Sequence, residues 1–132
     1  MVDAHTQIAY DPRRVEFIEA PPFTQLLVDY LGDEDYADLQ QFLARDPEAG
    51  DLIPGTGGFR KLRWTDPRRR KCKRGGLRVV YFHFVADNQI WFMTLYGKDE
   101  AVDLTPDEKR ALKMAIEREA RQRAQRRKPR RN

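Results

Sequence analysis

The apolar positions change period along the chain. Residues 15–18, VEFI, read as a short strand, closed by Pro21-Pro22, a pair that cannot continue a ladder. A helical period follows. Phe23, Leu26, Leu27, Tyr30 and Leu31 fall at i, i+3, i+4, i+7 and i+8, and Gly32 is expected to supply a left-handed stop. Asp33 is expected to cap a second helix, in which Tyr36, Leu39, Phe42 and Leu43 keep the same spacing until Asp46-Pro47 and Gly50 end it. Both stripes are narrow, so the predicted helical hairpin needs a sheet to cover.

Past the loop DLIPGTGG (51–58) the period becomes two. In FRKLRW (59–64), Phe59, Lys61 and Arg63 fall on one side of an extended strand and Arg60, Leu62 and Trp64 on the other. TDPRRRKCKRGG predicts a hairpin loop, with Pro67 and Gly75-Gly76 as turn-makers, and LRVVYFHFVA (77–86) is β-branched and aromatic enough for a central strand. Asp87-Asn88 makes the next turn. The third strand, QIWFMTLYGK (89–98), places Ile90, Phe92, Thr94, Tyr96 and Lys98 on one face by alternation and Trp91, Met93 and Leu95 on the other, with Gly97 at a bulge or strand end.

The last element starts with a capping box. Thr105 caps, Pro106 sits at the first helical position and Glu108 reaches back to the Thr105 N–H; Ala111, Leu112, Ala115, Ile116 and Ala120 then mark an apolar face. The order is β-α-α-β-β-β-α, an α+β domain with an antiparallel three-strand meander and a first strand added at its edge or centre. A single domain is expected over 1–132, with a core at about 13–120 and a basic tail at 121–132.

Composition narrows the class. With 40% hydrophobic and 35% charged residues the chain is globular, with no run of apolar residues long enough to span a membrane and no basic-then-apolar leader, so a cytoplasmic protein is expected. One cysteine, Cys72, allows no internal disulfide, and two distant histidines, His5 and His83, offer no metal-ligand spacing; no metal or cofactor is expected. The net charge of +4 conceals blocks. Residues 57–78 hold ten bases against Asp66 alone, and residues 121–132 hold seven bases and no acid, whereas 1–56 hold three arginines against twelve acids. A single charge run is usually a solvated loop, but two flanking one compact unit point to a polyanion.

The strings GTGGFRKLRW, KRGGLRVVYFHF and IWFMTLYGKDEAVDLTPDEKRALK, in this order, resemble the HigB/RelE superfamily of bacterial type II toxins, in its HigB-type branch. The resemblance covers about residues 13–120. It implies a small metal-free messenger-RNA endoribonuclease acting in the ribosomal A site, with ribosome and messenger as partners, and a cognate HigA-like antitoxin carrying a helix-turn-helix domain through which the complex reaches operator DNA. By resemblance Lys61 and Arg63 are catalytic or phosphate-binding bases, and Arg78, in GGLRVVY, clamps the scissile phosphate. RelE-type toxins place an arginine after their Gly-Lys and a tyrosine a few residues later; here Asp99 and Glu100 follow Lys98.

The chemistry such a site needs is compatible with these residues. A 2′-OH that attacks its own phosphodiester leaves a 2′,3′-cyclic phosphate and a 5′-hydroxyl, and cationic side chains can stabilise the transition state if preorganised. The candidate catalytic set is Lys61, Arg63, Arg78, Tyr96 and Lys98, and the candidate RNA-binding set is Arg60 with the loop residues Arg68, Arg69, Arg70, Lys71, Lys73 and Arg74, aided by the tail. Alternation sends Arg78 and Tyr81 to opposite faces, which favours Arg78 for the site and Tyr81 for packing. Tyr81, Trp91 and His83 read foremost as sheet residues, and Cys72, set among cations but without a paired histidine, is a poor nucleophile. Two other functions fit the same fold: a ParE-like poison that binds DNA gyrase, and a non-catalytic RNA-binding domain.

Overall fold

The computed structural model describes residues 14–64, 76–97 and 103–127. In chain order the elements are β1 (Glu16–Glu19), α1 (Pro21–Tyr30), α2 (Asp33–Arg45), β2 (Asp51–Leu52), β3 (Arg60–Trp64), β4 (Leu77–Phe84), β5 (Gln89–Gly97) and α3 (Pro106–Arg127). They form an α+β fold around one five-stranded sheet of order β1-β5-β4-β3-β2. The β3-β4-β5 meander is antiparallel as expected, and β1 joins the edge in parallel with β5, Glu16 opposite Gln89 and Glu19 opposite Phe92.

Pro21 and Pro22 open α1 as well as closing β1. At the first helical positions their missing N–H groups cost no intrahelical bond. Gly32 is not the left-handed stop the sequence suggested. Its φ of −79° is extended; Leu31 ends α1, and Gly32 itself is the N-cap of α2, with Asp33 inside the helix rather than capping it. A two-residue link leaves no room for a separate stop and cap, and Asp33, Glu34 and Asp35 still favour the start of α2 through its dipole. The 51–58 loop also departs from expectation, because Asp51 and Leu52 pair with Lys61 and Arg60 as the edge strand β2. That pairing is made by backbone groups and closed by Ile53 N–H on the Phe59 carbonyl at 2.9 Å, so no side-chain pattern announces it.

The two helices α1 and α2 cover one face of the sheet. Phe23, Leu39 and Leu43 pack there on Leu62, Leu77, Val79, Tyr81, Ile90, Phe92 and Leu95. Phe92 is the hub, stacked on Phe23 at 4.6 Å and on Phe17 of β1 at 5.5 Å, geometry that adds to the area buried. Helix α3 covers part of the opposite face, where Ile116 meets Phe59, Val80 and Phe84, with Leu104 and Leu112 beside them. The apolar stripe of α3 is narrower than expected: Ile116 is buried, Leu112 and Ala115 are half-buried, and Ala111 and Ala120 are exposed, because a single helix rests on the sheet along one line. Its capping box forms as expected, Glu108 N–H donating to Thr105 Oγ1 (3.1 Å) and Thr105 N–H to Glu108 Oε1 (2.7 Å). Gly58, at φ +122°, lets the chain pass the Phe82 ring, which an added Cβ would meet at 2.9 Å.

The main correction concerns β5. Val80 pairs with Thr94 and Tyr81 with Phe92, so Met93 is an extra residue, a β-bulge. Ile90 and Phe92 face the α1/α2 side, as does Leu95, whereas Trp91, Met93 and Tyr96 belong to the α3 side. The face expected to hold Ile90, Phe92, Thr94 and Tyr96 together is therefore divided at Met93. Gly97 marks the strand end.

Candidate functional site

Directly opposed residues of an antiparallel pair project to the same side of a sheet. Arg63 lies opposite Arg78, and Arg78 opposite Tyr96; one step along, Lys61 lies opposite Val80, and Val80 opposite Thr94. Val80 and Tyr96 pack on the α3 side, so Lys61, Arg63, Arg78 and Tyr96 share that face. The bulge makes this possible, since unbroken alternation from Phe92 would send Tyr96 to the other side. Tyr81 goes to the opposite face as expected. It is fully buried, its hydroxyl donating to the Pro47 carbonyl at 2.7 Å and accepting from Gly50 N–H at 3.0 Å, which is a structural role.

Within this face the cations differ in freedom. Arg63 is exposed and Arg78 half-buried. Gly76, at φ +155°, leads into β4 beside Arg78, whose Nη1 would lie 3.5 Å from an added Cβ. Lys61 Nζ is 3.6 Å from Asp103 Oδ1, and Lys109 Nζ is 3.9 Å from the other oxygen of the same carboxylate. Asp103 also accepts Leu104 N–H at 2.7 Å, and this bond, with the two ammoniums, holds its carboxyl below the ordinary range. The Tyr96 hydroxyl is buried and, among the described residues, has no hydrogen-bond partner. Burial raises its pKa above 10.0, the Asp103 charge adds to this and Arg78 opposes it, so the phenol stays protonated at neutral pH, a free donor beside a guanidinium.

Arg60 belongs elsewhere. Its guanidinium turns to the α1/α2 side and donates to the Gly50 and Glu48 carbonyls at 2.8 and 3.2 Å, tying β3 to the chain before β2. The guanidinium expected to bind RNA is half-buried and serves two carbonyls, so it has a structural role in the fold. Lys98, Cys72 and the loop residues Arg68, Arg69, Arg70, Lys71, Lys73 and Arg74 lie outside the described residues, as does the tail beyond Arg127. Of the tail cations that are described, Arg123 lies over the Phe84 ring at 3.7 Å and contacts Asp87 (2.7 Å), Glu119 (2.9 Å) and Gln89 (2.6 Å); Arg127 also reaches Asp87 at 2.6 Å. These two arginines pin the end of α3 to the sheet.

Sequence reasoning missed Asp103 and Lys109. The capping box offered a partial signal, since it fixes the start of α3 and with it the helical position of Lys109.

No protein-family model matches the chain. Among the solved structures similar to it are two that share the name RelE. One is a double mutant of the E. coli toxin RelE in the free state, 14% identical, with a TM-score of 0.47, covering 67% of this chain and 87% of that one. The other is an archaeal RelE–RelB complex from Pyrococcus horikoshii, 18% identical, with a TM-score of 0.42, covering 66% and 98%. Among the described residues no helix is long and apolar enough to cross a membrane.

Proposed function

We propose that this chain is the toxin of a type II toxin–antitoxin system, a ribosome-dependent endoribonuclease of the HigB/RelE kind that cleaves messenger RNA in the A site. The observation that carries this reading is the row Arg63–Arg78–Tyr96 with Lys61 beside it, three cations and a protonated phenol without a partner among the described residues, on one sheet face. The 2′-oxygen forms its bond to phosphorus as the bond to the 5′-oxygen breaks; a proton leaves the 2′-OH and one reaches the 5′-oxygen. The planar fork of Arg78 suits two phosphate oxygens, Lys61 and Arg63 offset the charge that develops on them, and the Tyr96 hydroxyl donates to the transition state. Lys98 remains the proposed participant in proton transfer. The loop 68–74 supplies ribosome affinity, and a helix-turn-helix antitoxin, the counterpart of RelB in the archaeal complex, silences the toxin.

The test is primer extension on messenger incubated with this protein, with and without translating ribosomes. Ribosomes are expected to be required, because a small cationic site needs the A site to impose in-line geometry. Lys61→Ala and Arg78→Ala are each expected to slow cleavage more than about tenfold with the fold intact. Equal cleavage of naked RNA, or wild-type rates in both variants, would overturn the assignment.

A further inference from the structure

Of the cations assigned to catalysis from the sequence, the described ones, Lys61, Arg63 and Arg78, lie on strands, but the site has a further wall. Helix α3 begins beside it, where Leu104 packs in the same cluster as Tyr96. Lys109, Leu112 and Ile116 fall at i, i+3 and i+7, so Lys109 is the first member of the stripe that α3 turns to the sheet. Its stem lies 4.0 Å from where a Cβ on Gly55 would stand, and its side chain is only 27% exposed. The ammonium is thus brought to the same carboxylate that Lys61 of β3 approaches. One exposed acid, Asp103, sits between two ammoniums from different elements.

We infer that Lys109 is a phosphate-binding residue of this site, and that the Asp103 carboxylate holds in the free protein the place a phosphodiester oxygen takes between Lys61 and Lys109. The inference rests on the polyanion-binding reading of this face. A carboxylate and a phosphate present similar anionic oxygens to an ammonium. The Asp103 side chain is 48% exposed, and ion pairs so open to water are weak, so an incoming phosphate can displace it. The Leu104 N–H keeps Asp103 close by, which makes the exchange reversible. The Glu108 carboxylate, whose charge also reaches Tyr96, is engaged by the Thr105 N–H. Asp103 therefore tunes affinity, and Lys109 extends the cationic surface from the sheet onto the helix.

A 2′-O-methyl oligoribonucleotide, which lacks the attacking hydroxyl, is the probe, and fluorescence anisotropy over a range of salt concentrations is the measurement. Lys109→Met keeps the stem against Gly55 and removes the charge. It is expected to weaken binding about tenfold near physiological salt and to reduce the log–log salt slope by about 0.7, the value for one lost contact on a single strand. Lys109→Arg restores both. Asp103→Asn keeps an acceptor for Leu104 N–H and is expected to tighten binding severalfold. Arg118→Ala, on the exposed face of α3, is the control for general charge loss. If Lys109→Met weakens binding no more than Arg118→Ala, or Asp103→Asn leaves affinity unchanged, the inference fails. If binding behaves as expected but ribosomes give no cleavage with the wild-type protein, the ribonuclease reading fails and this phosphate contact stands.

Discussion

Two tyrosines of the central strands are predicted to separate the proposed catalysis from stability. Tyr96 buries a hydroxyl without a partner among the described residues, whereas the Tyr81 hydroxyl bridges Gly50 and Pro47. Tyr96→Phe removes an orphaned polar group, so urea unfolding is expected to show unchanged or slightly higher stability while cleavage falls more than about tenfold. Tyr81→Phe leaves a buried N–H and carbonyl unmet and is expected to cost about 1–3 kcal/mol, with cleavage per folded molecule unchanged. The opposite pattern would exchange their roles. The placement of Lys61, Arg63 and Arg78 was legible in the sequence because alternation along β3 and β4 is unbroken. That of Asp103 and Lys109 was not, because their meeting with Lys61 depends on how α3 docks, and docking leaves no local periodicity.

Among the elements, β5 decides whether the proposed site can assemble. Pairing from Phe92 to Tyr81 and from Tyr96 to Arg78 leaves Met93 as the surplus residue. Deleting Met93 restores a regular ladder with Tyr96 still opposite Arg78, so cleavage is expected to persist. Inserting one alanine between Leu95 and Tyr96 carries Tyr96 past Arg78 to the α1/α2 face, and cleavage is expected to be lost. Single-turnover cleavage, with circular dichroism to show that both variants fold, measures the contrast. The bulge also explains why the faces of β5 were divided wrongly from sequence: one extra residue is invisible in a single strand and is defined only against its partner. The start of α3 was legible, because Thr105, Pro106 and Glu108 have one arrangement that satisfies it. Strand β2 was not, because two residues held by backbone bonds carry no pattern.

At the scale of the molecule, the tyrosines set an alkaline limit. Tyr36, Tyr81 and Tyr96 all have pKa values raised from 10.0, with burial the largest cause in each. The Tyr36 hydroxyl also donates to Glu19 at 2.6 Å, joining α2 to β1. The folded state favours the neutral phenols, so their contribution to stability is fully present below pH 10.0 and is lost as the pH rises through the folded values. Tyrosinate absorbance and far-ultraviolet circular dichroism are therefore expected to change together above pH 10.0. Ionisation of all three phenols at 10.0 in an intact fold would contradict this. The acid side is gentler. Asp87 and Asp103 have lowered pKa values, the first chiefly through Arg127 and Arg123, the second chiefly through Leu104 N–H, so their contribution is present above 3.8 and fades as the pH falls through the folded values. Asp103 is exposed and Asp87 half-buried.

The parallel pairing of β1 with β5 sets an order in time. Gln89 meets Glu16 across a separation of 73 residues, and closing so long a loop costs about 2–3 kcal/mol more entropy than closing a tight hairpin. On a nascent chain β1 is made first and paired last. Until β5 emerges, Phe17 and Phe23 lack the Phe92 ring that stacks on both, and Arg78 lacks Tyr96. Synthesis thus separates the pairing of Arg63 with Arg78 from the arrival of Tyr96 beside them, and a chain still growing carries the cations of the proposed site without its phenol.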